Sequence, residues 1–191
     1  FDIVVSSFAL LLLAPFFLII SLLIALTSRG PVFFLQERVG KNGNPFKIMK
    51  FRTMVQDAEK LGKQITVVND VRITKIGKFL RATKLDELPQ LCNIVVVTMS
   101  FVGPRPEVPR YVALYNDMQR QILKVKPGLT DLASIEYRHE SERLAASDDP
   151  EYTYIHEIMP HKIELNQKYI ATMSVFHDII ILCKTVWAVL H

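Results

Sequence analysis

The chain has 191 residues, is 50% hydrophobic, and carries 23 Lys/Arg against 19 Asp/Glu for a net charge of +4. That length suits one domain plus a membrane element, with 163 residues beyond the first 28 to build a hydrophobic core. Cys92 and Cys183 stand far apart in apolar surroundings; they exclude a disulfide framework and a Cys-ligated zinc, and read as reduced core thiols of a cytosol-facing domain.

Ile3 to Leu26 is apolar apart from Ser6, Ser7 and Ser21, with Pro15 inside it, and no charge stands between Asp2 and Arg29. At about 20 residues per spanning helix, it is long enough to cross a bilayer. A cleaved signal peptide is not expected, because no basic segment precedes so long an apolar run. The chain starts abruptly at Phe1, which leaves room for native residues before it. Pro15 removes one helix hydrogen bond, and Ser6 or Ser7 could satisfy the carbonyl it releases. Two forms follow: a kinked spanning helix, which general frequencies favour, and a helix bent enough to leave on the face it entered. Arg29, Arg38, Lys41 and Lys47 place the following domain in the cytoplasm in both.

From Arg29 to Lys84 there are 13 Lys/Arg against four acids, a net +9, whereas Leu85 to the end carries 10 basic and 14 acidic residues, a net −4. A basic block directly after a membrane segment points to anionic headgroups or phosphate substrates. Nucleic acid is set aside, because no nucleic-acid motif accompanies the charge.

In chain order, Val32–Leu35 is a short β-like run, Gln36–Asn44 a turn, and Pro45–Met54 a second strand with Phe46, Ile48 and Lys50 on one face. The two strands make a hairpin. Asp57–Leu61 reads as a helix turn. Val71–Leu80 carries a helical stripe of Ile73, Ile76, Phe79 and Leu80. Arg72, Lys75, Lys78, Arg81 and Lys84 recur every third residue around it as a broad basic band. Asp86 is expected to N-cap a helix bearing Leu88, Leu91 and Val95, with Pro89 in its first turn, where a phosphate would be favoured. Ile94–Val97 fits a helix end or a buried strand. In Ser100–Pro106, Pro104 and Pro106 hold Arg105 in a stiff extended loop suited to bidentate phosphate recognition. Val108–Leu123 reads as one helix with Tyr111, Tyr115, Met118 and Ile122 on a stripe. Lys126–Thr130 reads as a turn and Glu136–Glu151 as a surface loop or short helix. His161–Leu190 is a long helical stretch whose apolar end is too short to span and packs on the core or lies in the membrane interface, where Trp187 fits. There is no Gly-rich phosphate loop, and His156 and His161 lack a ligand set for a metal.

Asp86-Glu87 is the candidate reactive centre. Adjacent acids are common on surfaces, but this pair lies between a basic band and the Pro-Arg-Pro loop. A carboxylate can attack phosphorus to form an acyl phosphate, and it can ligate magnesium. The residues alone lead to phosphoryl chemistry at a membrane.

Lys50-Phe51-Arg52-Thr53-Met54, Leu85-Asp86-Glu87-Leu88-Pro89-Gln90-Leu91, Met99 to Pro106 and Pro127-Gly128-Leu129-Thr130 together resemble the bacterial sugar transferases, the monotopic phosphoglycosyl transferases. The resemblance runs from the apolar segment to the last helix. It implies transfer of a phosphosugar from a UDP-sugar to polyprenol phosphate with release of UMP, the first membrane step of glycoconjugate assembly. It implies that Asp86 is the nucleophile and that Glu87 helps hold Mg2+ or handles protons, the two acids forming the metal site. It implies phosphate or substrate contacts by Lys50, Arg81, Arg105 and, more weakly, Arg38, and an acidic position at Asp178. It favours a re-entrant N-terminal helix broken at a Ser-Pro pair, here Ala14-Pro15. Two further departures are Val96-Val97-Thr98, where Lys/Arg-Gly-Asp is usual, and Asp131-Leu132-Ala133-Ser134, where Gly-Leu-Ala-Gln is common; these bear on sugar choice or packing.

The fold expected is therefore α/β, mostly helical with a small β-hairpin or sheet. Residues 1–28 form the re-entrant membrane helix, and residues 29–191 form the catalytic domain with interfacial amphipathic helices. The protein is expected at the bacterial inner membrane facing the cytoplasm, with membrane lipids, UDP-sugar and polyprenol phosphate as partners; a homo-oligomer stays open. The rival readings are a non-catalytic anchor using the basic band for lipids, and a membrane phosphohydrolase.

Overall fold

The computed structural model describes residues 1–58 and 70–190. These residues are mostly helical with two small two-stranded sheets. They form two compact units, Phe1–Gln36 with Ile48–Val96, and Glu37–Lys47 with Val97–His191.

In the first unit, α1 (Asp2–Thr27) is one helix running through Ala14 and Pro15. It is long and apolar enough to cross a membrane by length and composition. Only Ser6, Ile20 and Ile24 of it are buried, while Val4, Phe8, Leu11, Leu12, Leu18 and Leu26 stand exposed. Ser6 does not serve the carbonyl released by Pro15: its Oγ donates to Asp2 O at 2.6 Å and to Ile3 O at 3.2 Å. Ile20 and Ile24 meet Phe51 and Leu80 in a core ringed by Phe17, Val32, Ile76 and Leu85. Phe51 lies between Phe17 and Phe33, with ring centroids 5.2 and 5.4 Å away. Each such side chain, fully buried, contributes about 1.5–3 kcal/mol.

β1 (Phe33–Val39) and β2 (Pro45–Phe51) form the expected hairpin. β1 takes in Gln36–Val39, which their polarity marked as turn, because β1 alternates exposed with half-buried positions and ends on the buried Val39. The turn itself shrinks to Lys41–Gly43, where Asn42 (φ 59°) and Gly43 (φ 80°) take the left-handed conformations those residues tolerate. β2 stops at Phe51, and Met54 instead bridges to Ile73. Of the helix turn expected at Asp57–Leu61, residues 59–61 lie outside the described residues.

α2 (Lys75–Ala82) starts later than the apolar stripe suggested, because the Thr74 side chain caps it by accepting from Gly77 N at 3.0 Å. The basic band is not one surface. Arg72 is pinned to Asp70 at 2.5 Å and donates to Ala58 O, Arg81 turns inward, and Lys75, Lys78 and Lys84 stay exposed. α3 (Gln90–Val95) packs on α1. Ile94 and Val95 end this helix, so Ile94–Val97 is not a strand. Val97 then adopts φ 66°, which is rare for a β-branched residue.

In the second unit, β3 (Ser100–Val102) pairs in parallel with β4 (Gly128–Thr130), Ser100 opposite Gly128 and Val102 opposite Thr130. Pro-Gly-Leu-Thr thus ends in a strand, not only a turn. A Cβ on Gly128 would lie 2.2 Å from Gly103 N, so the close pairing requires glycine there. The single helix expected over Val108–Leu123 is instead α4 (Pro109–Val112) and a 3-10 turn, Gln119–Lys124. Asn116 breaks it, exchanging side-chain hydrogen bonds with Gln119. Tyr111, Tyr115 and Ile122 are buried, but Met118 is exposed.

α5 (Leu132–Glu136), α6 (Glu140–Ala145) and α7 (Pro150–Thr153) follow. The terminal stretch is two helices, α8 (Met159–Thr172) and α9 (Val175–Leu190), separated at Met173-Ser174. Tyr169 and Ile181 from these helices meet Val102 in the unit's core. The cysteines form no disulfide, and Cys183 is exposed on α9 rather than in a core.

Candidate active site

Lys84 turns the chain with a left-handed φ of 57°, and Leu85–Glu87 coils into a 3-10 turn. Asp86 therefore does not cap α3, whose N-terminus stands at Pro89; two consecutive sharp turns override the capping preference of Asp. A helix-end phosphate site at Asp86 falls with it. The turn instead buries Asp86 to 7% exposure, held from below by Leu85 in the core.

Three of the expected side chains, Glu87, Lys50 and Arg81, act on its charge. Lys50, from β2, places Nζ 2.9 Å from Glu87 Oε1. Arg81, from the last turn of α2, donates from Nε to Thr53 Oγ1 at 2.8 Å. Gly77 makes that docking possible: a Cβ there would sit 2.0 Å from Thr53 O. Among the described residues the Asp86 carboxylate accepts no hydrogen bond. Burial pushes its pKa above the ordinary aspartate value, and the Glu87 charge adds to the rise, against the opposing charges of Lys50, Arg81 and Lys84. Burial also pulls the Arg81 guanidinium down from its usual value, but arginine stays protonated in proteins. The result is a buried carboxylate, made more basic than usual, under the charges of Lys50 and Arg81. That chemistry suits attack on an electrophilic phosphorus.

Among the described residues, no group of three or more His, Cys, Asp or Glu side chains gathers as a metal site. The Asp86-Glu87 pair alone fits magnesium, which needs only one or two carboxylates when substrate phosphates and waters complete its shell.

Arg38, Arg105 and Asp178 belong to the second unit. Arg105 sits in the stiff loop as expected, and its backbone N donates to Asp131 Oδ2 at 3.2 Å. Arg38 donates from Nη1 to Pro106 O at 3.1 Å and pairs with Glu107 at 3.2 Å, so it buttresses the Arg105 loop. Asp178 accepts from Tyr169 Oη at 2.6 Å, a bond between α8 and α9.

Sequence reasoning missed Asp131 and Glu107. Asp131 is fully buried; its Oδ1 caps α5 by accepting from Ser134 N at 2.6 Å while Oδ2 holds Arg105. Its signal was legible: an Asp three residues before Ser134, opening a short apolar run, is a helix start. Glu107 also accepts from Val108 N and Tyr154 Oη, contacts that no local pattern announces.

The chain matches the bacterial sugar transferase family over residues 1–191. It is 41% identical, over 97% of its own length and 38% of the relative's, to a UDP-glucose:undecaprenyl-phosphate glucose-1-phosphate transferase of Klebsiella pneumoniae. It is 36% identical, over 99% of its length and 42% of the relative's, to a UDP-N-acetylgalactosamine-undecaprenyl-phosphate N-acetylgalactosaminephosphotransferase of Aeromonas hydrophila. It is 35% identical to the exopolysaccharide production protein ExoY of Rhizobium meliloti, over 99% of this chain and 83% of that one. The chain thus spans about two fifths of the longer relatives, 38% and 42%, and most of the shorter one. With a match over its whole length, the chain belongs to the bacterial sugar transferase family.

Proposed function

We propose that this protein transfers a phosphosugar from a UDP-sugar to a polyprenol phosphate at the membrane, through a covalent intermediate on Asp86. The observation that carries the reading is the buried Asp86 carboxylate, its pKa raised by burial against the charges of Lys50 and Arg81, in a chain of this family. An Asp86 oxygen attacks the β-phosphorus of the donor. The bond from that phosphorus to the bridging oxygen breaks, and UMP leaves with the electron pair. A phosphate oxygen of the polyprenol phosphate then attacks the same phosphorus, the bond to Asp86 breaks, and the carboxylate is restored. No net proton is taken up when the acceptor enters as its dianion.

Lys50 and Arg81 offset the negative charge that gathers at the transferred phosphoryl group. Asp86 and Glu87 would hold a magnesium ion, which when bound neutralises phosphate charge. Arg105 is assigned to phosphate recognition on the family resemblance. The exposed apolar surface of α1 supports membrane insertion, because so much apolar area in water is unfavourable. We place the helix as re-entrant, with Ala14-Pro15 as its bend, and the catalytic residues on the cytoplasmic side.

The test is UMP release from a panel of UDP-sugars in detergent with magnesium, with and without undecaprenyl phosphate. Lipid-dependent UMP release that Asp86→Asn abolishes supports the transferase and identifies the sugar. Lipid-independent turnover points to a phosphohydrolase, and silence toward every donor points to a non-catalytic anchor.

A further inference from the structure

α9 carries two faces. Ile181 and Thr185 point inward, Ile181 into the core and Thr185 to Thr130 at 2.7 Å. Val175, Phe176, Ile179, Val186 and Trp187 are exposed on the other side. At 100° per residue these five positions fall within one arc of the helix. Beside that arc lies a groove of about 430 Å³ lined by Ile135, Arg138, Cys183, Lys184, Trp187 and Ala188. Arg138 and Lys184 are exposed, and neither has an acidic partner among the described residues. The groove thus joins an apolar floor and an indole to two cations. An indole at such a boundary favours the membrane interface, and each cation favours anionic lipid.

We propose that this groove takes the headgroup phosphate of an anionic phosphoglyceride, with Arg138 and Lys184 as its ligands and Trp187 against the glycerol and upper acyl chains. The volume suits a small-molecule headgroup, and the charge complements a monoanionic phosphate with no competing carboxylate in the lining. The inference rests on membrane association but not on the transfer chemistry, so it can fail while the proposed activity stands.

Trp187 is the only tryptophan in the chain, so its fluorescence reports on this groove alone. The experiment reconstitutes the full chain in vesicles of mixed phosphatidylcholine and phosphatidylglycerol. Bromine is carried in one series by the phosphatidylglycerol and in the other by the phosphatidylcholine, at equal mole fraction. The expected result is stronger quenching by brominated phosphatidylglycerol. That preference should fall roughly fivefold for each cation removed in Arg138→Gln and Lys184→Gln, and persist in Arg138→Lys. Equal quenching by the two lipids overturns the proposal, as does a preference that survives the double variant. Quenching by neither lipid also overturns it, and removes the membrane reading of α9 as well. Loss of the preference on adding substoichiometric undecaprenyl phosphate would reassign the groove to the polyprenyl substrate and overturn the phosphoglyceride assignment.

Discussion

Lys50 Nζ lies 2.9 Å from Glu87 Oε1, each side chain only 16% exposed, so the acid next to Asp86 is already neutralised by a cation. The two carboxylates are therefore not equivalent: Glu87 is held, while Asp86 is buried and made more basic. Lys50 is also among the charges that lower the Asp86 pKa. In Lys50→Met, Glu87 loses its ion pair with Lys50 and the Asp86 pKa rises further. Activity near pH 7 is expected to drop about 100-fold, and the acid limb of the pH–kcat/KM profile to move to higher pH. A limb that stays in place would show that Lys50 does not act on Asp86.

Stability should move the opposite way when Asp86 itself is neutralised. Its folded pKa is raised, so the ionised form is disfavoured in the folded protein, and wild type loses stability as pH climbs through the ordinary aspartate value toward the folded one. Below about pH 4 both states bind the proton and the penalty is gone. Asp86→Asn should therefore melt above wild type at pH 7, with the gap closing as pH falls below about 4. Thermal melts across that range check it; a variant less stable at pH 7 would contradict the burial argument.

Val97 sits at φ 66°, at the position where glycine is usual in the family resemblance. A left-handed L-residue costs about 1–2 kcal/mol, against about 0.5–1 kcal/mol for the extra freedom of an unfolded glycine. Val97→Gly is expected to stabilise the protein by up to about 1 kcal/mol, raising Tm by about 2–4 °C. Calorimetry in detergent measures this, and a lowered Tm would mean that Val97 makes contacts worth more than its strain.

Asp131 joins two things that a sequence treats separately: the start of α5 and the loop that carries Arg105. Asp131→Ala leaves two backbone N–H groups without their acceptor and should cost about 1–3 kcal/mol of stability. If Arg105 contacts donor phosphate, the same change raises KM for the UDP-sugar more than it lowers kcat. Asp131→Asn keeps one of the two acceptor oxygens and presents an amide NH2 at the other position, so it should restore at most one of the two hydrogen bonds. Unchanged KM alongside lost stability would confine Asp131 to structure.

Much of the site was readable because its residues are near in sequence or carried by distinct motifs. Asp86 and Glu87 are adjacent, and Lys50 lies on a strand whose alternation was plain. What escaped were contacts set by folding. The basic band dissolved because Asp70 and Thr53, from outside the helix, claim Arg72 and Arg81. The β3–β4 sheet pairs two three-residue strands, Ser100–Val102 and Gly128–Thr130, too short and too far apart in the chain to leave a period in the sequence. Arg38, the weaker carry-over among the phosphate contacts, donates to Pro106 and Glu107, 68 and 69 residues away, a partnership no local pattern announces.

The most direct measurement is intact-protein mass spectrometry of the purified chain incubated with its UDP-sugar and magnesium but without polyprenol phosphate. Wild type should gain the mass of one phosphosugar, released on adding undecaprenyl phosphate, and peptide mapping should place it on Asp86; Asp86→Asn should gain nothing. An Asp86→Asn protein that still transfers phosphosugar to the lipid, or a wild type that turns over without ever carrying the adduct, would contradict covalent catalysis by Asp86.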